Sequence, residues 1–128
     1  MEGRASARPN GDMPDLFARS EPVVEAIYRQ IKIAARACGP FTEETKKTSI
    51  HLVRESAFAG VSPRKATLVL TLKSPKGIAS PRITKQERIS ANRWHLDLKL
   101  QSPEDVDSEL KAWMKAAYAL AGGATTTR

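Results

Sequence analysis

Residues 93–122 read RWHLDLKLQSPEDVDSELKAWMKAAYALAG and indicate a strand that leads directly into a helix. Apolar residues first alternate with polar ones, which is the period of a strand with one buried face. Ser102 then predicts an N-cap, with Pro103 at the first helical position. Gly122 is expected to end the helix in a left-handed conformation. The apolar stripe of this predicted helix consists of Val106, Leu110, Trp113, Ala117 and Leu120.

The composition is that of one small globular domain. Apolar residues make up 41% of the 128 positions and charged residues 27%, which is typical of a folded chain. We expect a single domain over residues 16–122, between flexible tails at 1–15 and 123–128. The lone cysteine, Cys38, excludes an internal disulfide and suits a reducing compartment. No apolar run is long enough to span a membrane and no secretory signal is evident, so the sequence favours the cytoplasm.

The positive charge is concentrated in the middle of the chain. The formal net charge of +7 divides into +1 for residues 1–39, +7 for residues 40–100 and −1 for residues 101–128. A cationic field confined to one segment favours a polyanionic partner more than a uniform excess does. The charge pattern therefore predicts an anion-binding surface within residues 40–100.

Upstream of residues 93–122, the pattern predicts one helix and three further strands. Pro22 is expected to start the helix and Gly39 to stop it. Its apolar face consists of Val23, Val24, Ile27, Ile31, Ala34, Ala35 and Cys38. The strands are predicted over residues 45–54, 57–62 and 67–73. Residues 74–92 are polar and contain proline and glycine, so we expect a long loop that serves as a binding element or conceals a short helix.

These elements predict an α+β fold, a two-layer sandwich in the order α-β-β-β-β-α. Short links between successive strands favour an antiparallel four-stranded sheet. One face of the sheet carries the leucines, and we expect both the N-terminal and the C-terminal helix to cover it. The opposite face, which we call the outer face, is polar and free to meet water or a partner. Its side chains are Thr67, Thr71, Lys73, His95, Asp97 and Lys99.

Several short motifs are shared with a known family. They are Gly39-Pro40, Lys46-Lys47-Thr48, Phe58-Ala59, Pro63-Arg64-Lys65, the segment from Ser102 to Asp107 and the segment from Leu110 to Trp113. Through these motifs the chain resembles the domain of unknown function 5655 family over roughly residues 16–121. The resemblance implies a small bacterial α+β domain without an established activity, some of whose relatives are fused to nuclease-like domains. It also implies a distant likeness to frataxin-like domains.

Two short basic segments are the first candidates for a binding site. Lys46, Lys47 and Thr48 enter the first predicted strand, and Arg64 and Lys65 close the second. In an antiparallel hairpin the start of one strand lies near the end of the next, so we expect these side chains to surround one anionic group. Lysine supplies a point charge and arginine a bidentate fork, which suits phosphate. The alternative is a solvated basic edge that prevents association between sheets.

A second candidate lies on the outer face, where Lys73, His95, Asp97 and Lys99 are expected side by side. Asp97 and Lys99 have the spacing used by many metal-dependent nucleases. Such a site needs a second carboxylate for Mg²⁺, and Glu87 is the nearest upstream candidate. The alternative is an ordinary polar sheet face with a cross-strand ion pair.

No catalytic signature accompanies these residues. His51 and His95 lack cysteines or clustered carboxylates, so no metal site or cofactor is predicted. The sequence favours a non-enzymatic domain that contacts nucleic-acid backbone, because an aromatic content of only 5% argues against stacking on single strands. One alternative is a protein-interaction or small-ligand module that uses loop 74–92. The other is a metal-dependent nuclease built on Asp97 and Lys99.

Overall fold

A computed structural model describes residues 16–122, so the tails expected at 1–15 and 123–128 lie outside the described residues. Helix α1 spans Pro22–Cys38 and helix α2 spans Ser108–Ala121. The strands are β1 (Thr42–Thr45), β2 (Ile50–Val53), β3 (Ala57–Pro63), β4 (Leu68–Ser74), β5 (Ile83–Ser90) and β6 (Arg93–Leu100). A short 3-10 turn at Pro103–Asp105 joins β6 to α2. The predicted α+β class is confirmed.

The strands form one antiparallel sheet in the order β1-β2-β3-β4-β6-β5. The expectation of four strands was wrong, because β1 and β5 are also present and form the two edges. Nearly all of their side chains are exposed. A strand that buries neither face has no alternation of apolar and polar residues, so the pattern that predicted the inner strands is missing from it. The predicted loop 74–92 therefore contains a strand in place of a short helix.

The core lies between the sheet and the two helices. Both helices pack against β4 and against each other, so they share one face of the sheet. Leu68, Leu70 and Leu72 of β4 are fully buried beneath them, and the residues between these leucines are partly exposed. Burial of each leucine side chain contributes about 2 kcal/mol of favourable transfer free energy. The alternation predicted for the inner strands thus decides which face of the sheet is left to solvent.

Helix α1 matches the prediction closely. It begins at Pro22 and ends before Gly39, and it buries most of the expected apolar face together with Tyr28. The hydroxyl of Ser20, just before the helix, donates to the carbonyl oxygen of Arg64 over 2.6 Å. The N-terminus of α1 is therefore tied to the turn between β3 and β4.

Helix α2 begins later than predicted. Its N-cap is Asp107, whose side chain accepts a hydrogen bond from the backbone N–H of Leu110 over 3.0 Å. The segment after Ser102 forms the 3-10 turn instead, and the carboxylate of Asp105 closes that turn by accepting from the Ser102 N–H. A proline-led acidic segment suits either kind of turn, so local sequence did not distinguish them.

The apolar stripe predicted for α2 was also wrong at some positions. Met114 and Tyr118 fill buried positions of the helix, whereas Trp113 and Leu120 are only half-buried. Gly122 ends the helix with φ at −80°, which is not left-handed. A Cβ at Gly122 would collide with the guanidinium of Arg54. Glycine there leaves room for this guanidinium and is not required by the backbone conformation, and a larger residue would displace the flexible end of the Arg54 side chain.

A bulge lets β3 contribute an additional residue to the core. The pairing of β2 with β3 shifts between Leu52 and Val53, which leaves Phe58 without a register partner. The ring of Phe58 is buried and packs edge-on against Tyr118 of α2, with 5.2 Å between the ring centroids. This contact joins the sheet to the last turns of α2.

Candidate functional site

A row of residues crosses all six strands on the outer face. Register partners on successive strands define this row as Glu44, His51, Gly60, Thr71, Asp97 and Lys85. Every member except Gly60 has a polar or charged side chain, and the four central members are only partly exposed. Side chains alternate between the two faces of a strand, so the row lies opposite the helices. It forms a polar strip across the face that neither helix covers.

Of the residues predicted for the outer face, Thr67 lies in the turn before β4, and the others lie on β4 and β6. Lys73 of β4 is the register partner of His95 on β6, and Asp97 and Lys99 follow along β6. Glu87, the candidate second carboxylate, is the register partner of His95 on β5. The edge strand that the sequence did not predict thus brings this residue onto the same sheet.

Asp97 is held by a hydroxyl of the neighbouring strand. Oγ1 of Thr71 donates to Oδ1 of Asp97 over 2.7 Å. The expected cross-strand partner of Asp97 was a cation, and Lys85 is indeed its register partner on β5. The closest described contact is nevertheless the hydrogen bond from the uncharged hydroxyl of Thr71, which fixes the carboxylate against β4.

A groove opens on the outer face where Gly60 lacks a side chain. Its volume is about 270 Å³, and its polar lining consists of Ser49, His51, Ser62, Thr71, Lys73 and His95. A Cβ built at Gly60 would lie 3.7 Å from Cδ2 of His51 and 3.9 Å from Cβ of Thr71, which are ordinary van der Waals contacts. The groove over Gly60 is therefore a space that a side chain at this position would occupy.

Lys73 lines this groove, and a second cation, Arg93, lies near it on β6. Arg93 is two residues before His95 on the same face of β6, and Lys73 is the register partner of His95. Partial burial and the nearby charge of Arg93 lower the pKa of Lys73. Nζ of Lys73 donates to the hydroxyl of Ser56 over 3.0 Å. The two cations are thus close enough for each to affect the other.

Neither cation is neutralised within residues 16–122. Over this range neither Lys73 nor Arg93 forms an ion pair with a carboxylate. Nε of Arg93 is buried and has no hydrogen-bond partner among the described residues. Buried N–H donors are nearly always satisfied in folded proteins, and a guanidinium suits oxyanions. The arrangement is chemically able to receive an anion.

The two predicted basic segments lie in turns and not in strands. Lys46, Lys47 and Thr48 belong to the turn between β1 and β2, and Arg64 and Lys65 to the turn between β3 and β4. The strand expected from residue 45 was wrong, because β1 ends at Thr45 and β2 begins at Ile50. The strand predicted over residues 45–54 thus covers both the turn that holds this polar triplet and β2.

Both basic turns lie at the same end of the sheet. Ile50 at the start of β2 pairs with Val61 near the end of β3, so the turns that precede β2 and follow β3 are neighbours. Their centres are separated by two strand spacings, or about 10 Å. Lys46 also lies 3.4 Å from a carboxylate oxygen of Glu44. The register therefore brings the two segments to one end of the sheet, while Lys73 and Arg93 lie toward the opposite end.

Sequence reasoning missed Gly60 and Arg93. A glycine inside a strand is a signal that something approaches the backbone closely, and it was available before the structure. Arg93 carried no comparable signal, because its proximity to Lys73 follows from the pairing of β4 with β6. The long-range register created this part of the site.

Two further properties of the described residues concern metal binding and membrane insertion. Among residues 16–122, no three His, Cys, Asp or Glu side chains come together in a way that would hold a metal ion. Neither described helix has the length and apolarity needed to cross a lipid bilayer.

Comparisons with known proteins address the family. A search of curated proteins and a search of solved structures each return no match. The sequence profile of one family, described as Domain of unknown function (DUF5655), matches residues 13–121. This range includes both helices, all six strands and the groove over Gly60. The resemblance carried by the short motifs is confirmed, and the chain belongs to the DUF5655 family of domains of unknown function.

Proposed function

We propose that this domain is a non-enzymatic module that binds the phosphate backbone of nucleic acid through its outer face and its two basic turns. The observation that carries the proposal is the proximity of Lys73 and Arg93 on the uncovered face, without a carboxylate partner in residues 16–122. Two unneutralised cations side by side raise the free energy of the unbound protein. An anion that binds beside them relieves that repulsion.

An extended anion fits the distribution of charge better than a small one. Lys73 lies five residues after Leu68, the first residue of β4, so about 17 Å of strand separates it from the basic turns. About ten phosphate charges of a duplex lie along such a length. One duplex can therefore contact the Lys73–Arg93 pair and the turn at Arg64 and Lys65 at the same time.

The chemistry of the outer face supports backbone contact of low sequence specificity. Apart from His51, its central row offers one hydroxyl, one cation and two carboxylates, and no aromatic ring. Cations and hydroxyls bind phosphate oxygens without reading bases.

The proposal includes a reducing, cytoplasmic compartment, which the unpaired thiol of Cys38 suits.

The test is a salt titration of binding to a fluorescently labelled duplex, measured by anisotropy. We expect micromolar affinity at low salt and a steep linear fall of log K with log salt concentration. The double variants Lys73→Gln/Arg93→Gln and Lys46→Gln/Lys47→Gln each remove two cations of the proposed surface. Each is expected to weaken binding and to reduce the salt slope by about two.

A matched control separates a defined surface from diffuse positive charge. Lys111 and Lys115 are exposed on α2, on the opposite side of the sheet, and their double Gln variant changes the net charge equally. We expect this control to leave the slope unchanged. Equal weakening by all three double variants, or no binding at low salt, would overturn the proposal, and the latter result would favour a protein-interaction module.

One observation keeps the nuclease alternative testable in the same assay. Asp97 and Lys99 lie on the same outer face, and Glu87 is near them on β5. Incubation of the duplex with the protein and Mg²⁺ checks for cleavage. Cleavage that is lost in Asp97→Asn would establish an enzyme in place of the binding module, and an intact duplex supports the binding module.

A further inference from the structure

The glycine at the floor of the groove is not required by the fold. Gly60 lies within β3, between strands on both sides, and its φ is outside the left-handed region, which among the described glycines only Gly39 occupies. An alanine Cβ at this position would meet nothing closer than 3.7 Å. Glycine in a strand interior weakens the strand, because it adds backbone entropy to the unfolded chain and offers no side chain to pack. The effect of glycine at this position is that the groove stays open.

The groove is short and asymmetric in charge. Its volume of about 270 Å³ is too small for a folded partner. His51 lines one side, and Lys73 and His95 line the other, with Arg93 next along β6. Of the carboxylates on this face, Glu44 lies 3.4 Å from Lys46, Asp97 accepts from Thr71, and Glu87 on the edge strand β5 is the register partner of His95. None of these carboxylates is among the residues that line the groove. A small anionic group is the ligand that this distribution suits.

The charge and shape of the site favour the end of a strand over its interior. A phosphate monoester carries between about 1.5 and 2 negative charges near neutral pH, whereas an internal diester carries only one. A monoester also has three free oxygens and a single covalent connection, so it can enter a depression that a continuous chain must pass over. Lys73 in the lining and Arg93 near it on β6 supply donors to those oxygens.

We propose that the groove over Gly60 binds a terminal phosphate monoester of a nucleic-acid strand, held by Lys73 with the positive charge of Arg93 nearby. This inference rests on the proposed function, because it assigns to one part of the outer face the recognition of a strand end. It differs from that function in a measurable way. Backbone binding alone does not distinguish a phosphorylated end from a hydroxyl end, whereas the groove does.

The experiment compares three ligands by competition against the labelled duplex. They are a duplex with 5′-phosphate ends, the same duplex with 5′-hydroxyl ends, and a nucleoside 5′-monophosphate. We expect the wild-type protein to prefer the phosphorylated duplex by about tenfold, as charge-assisted hydrogen bonds to one additional charge predict. The Lys111→Gln/Lys115→Gln control is expected to keep this preference.

Two variants test the groove itself. Gly60→Val places methyl groups in the groove and introduces a residue that favours strands, and its fold is checked by circular dichroism. Lys73→Gln removes one of the two cations and provides a second variant if the first does not fold. In each variant the ratio between the affinities for the two duplexes is expected to fall to about one.

The failures of the inference and of the proposed function are distinguishable. Salt-dependent binding of both duplexes with equal affinity would overturn the groove assignment and leave backbone binding intact. Binding of the nucleoside monophosphate alone, lost in Gly60→Val, would assign the groove to a free nucleotide and overturn the assignment to a strand end. Absence of binding to all three ligands would overturn both proposals.

Discussion

Nη1 of Arg82 lies 2.9 Å from Oδ1 of Asp107, which ties the segment before β5 to the N-cap of α2. The same guanidinium lies 3.0 Å from Oε1 of Glu109 and donates to the carbonyl oxygen of Asp105 over 2.6 Å. It also lies above the ring of Trp113. Asp107 thus serves both as a helix cap and as the partner of a cation that arrives from a distant part of the chain.

Substitutions at Asp107 should separate these two roles. Asp107→Ala removes the cap and the charge, and we expect it to lower the free energy of unfolding by about 1 kcal/mol. Asp107→Asn keeps an oxygen that accepts from the Leu110 N–H, so it should cost less, because an exposed ion pair contributes little. Urea denaturation at neutral pH measures both, with Glu104→Gln as an exposed control. Equal losses in the two variants would contradict a dominant role for the cap.

The acid stability of the protein should also depend on Asp107. The hydrogen bond from Leu110 and the bond from Arg82 lower the pKa of this carboxyl in the folded state. Its stabilising contribution is therefore present above the unfolded-state pKa and is lost as the pH falls through the lower folded-state pKa. Between about pH 5 and about pH 2, the wild type should lose more stability than Asp107→Asn. Parallel losses, measured by urea denaturation at each pH, would refute this.

The alkaline stability should depend on Tyr28. Its buried hydroxyl donates to Oε1 of Glu43 over 2.5 Å, and burial followed by this bond raises the pKa of Tyr28. A group whose pKa is raised on folding stabilises the protein below its unfolded-state pKa of about 10, and this contribution decreases as the pH rises further. From about pH 8 to about pH 11, thermal denaturation should show a larger loss for the wild type than for Tyr28→Phe. A steeper loss in the variant would contradict the assignment.

Gly39 should be the least replaceable glycine among the described residues. Its φ is +148°, and a Cβ there would collide with the hydroxyl of Tyr118. Gly39→Ala is expected to cost more than about 1 kcal/mol, because it combines backbone strain with a steric clash.

A double-mutant cycle with Tyr118→Phe separates the two causes. The Tyr118 hydroxyl donates to the carbonyl oxygen of Pro40 over 2.7 Å, so its removal alone should cost about 1 kcal/mol. It also removes the atom that the new methyl group would meet most closely, although Cζ of the ring would remain 2.9 Å from that methyl group. The double variant should therefore be more stable than the sum of the single losses predicts. Strict additivity in chemical denaturation would leave backbone strain as the sole cause.

The helices and inner strands were predictable because their patterns are local. Leu68, Leu70 and Leu72 alternate along β4 as expected, and Ile50 and Leu52 do so along β2. Burial on one face imposes that period on any chain. The edge strands β1 and β5 bury little, and their residues follow no such period. Their presence depends on hydrogen bonding to a neighbour that is distant in sequence.

The features of the candidate site also fall into two groups, those that follow from local sequence and those that depend on the tertiary structure. The sequence by itself determined that positive charge is concentrated in residues 40–100 and that Lys73, His95 and Asp97 point to one side of the sheet. Only the tertiary structure decided that Lys73 lies near Arg93 and that Gly60 leaves a groove lined by His51, Lys73 and His95. Alternation along a strand follows from backbone geometry alone. The register between strands depends on every contact in the sheet, so it is decided only when the whole domain folds.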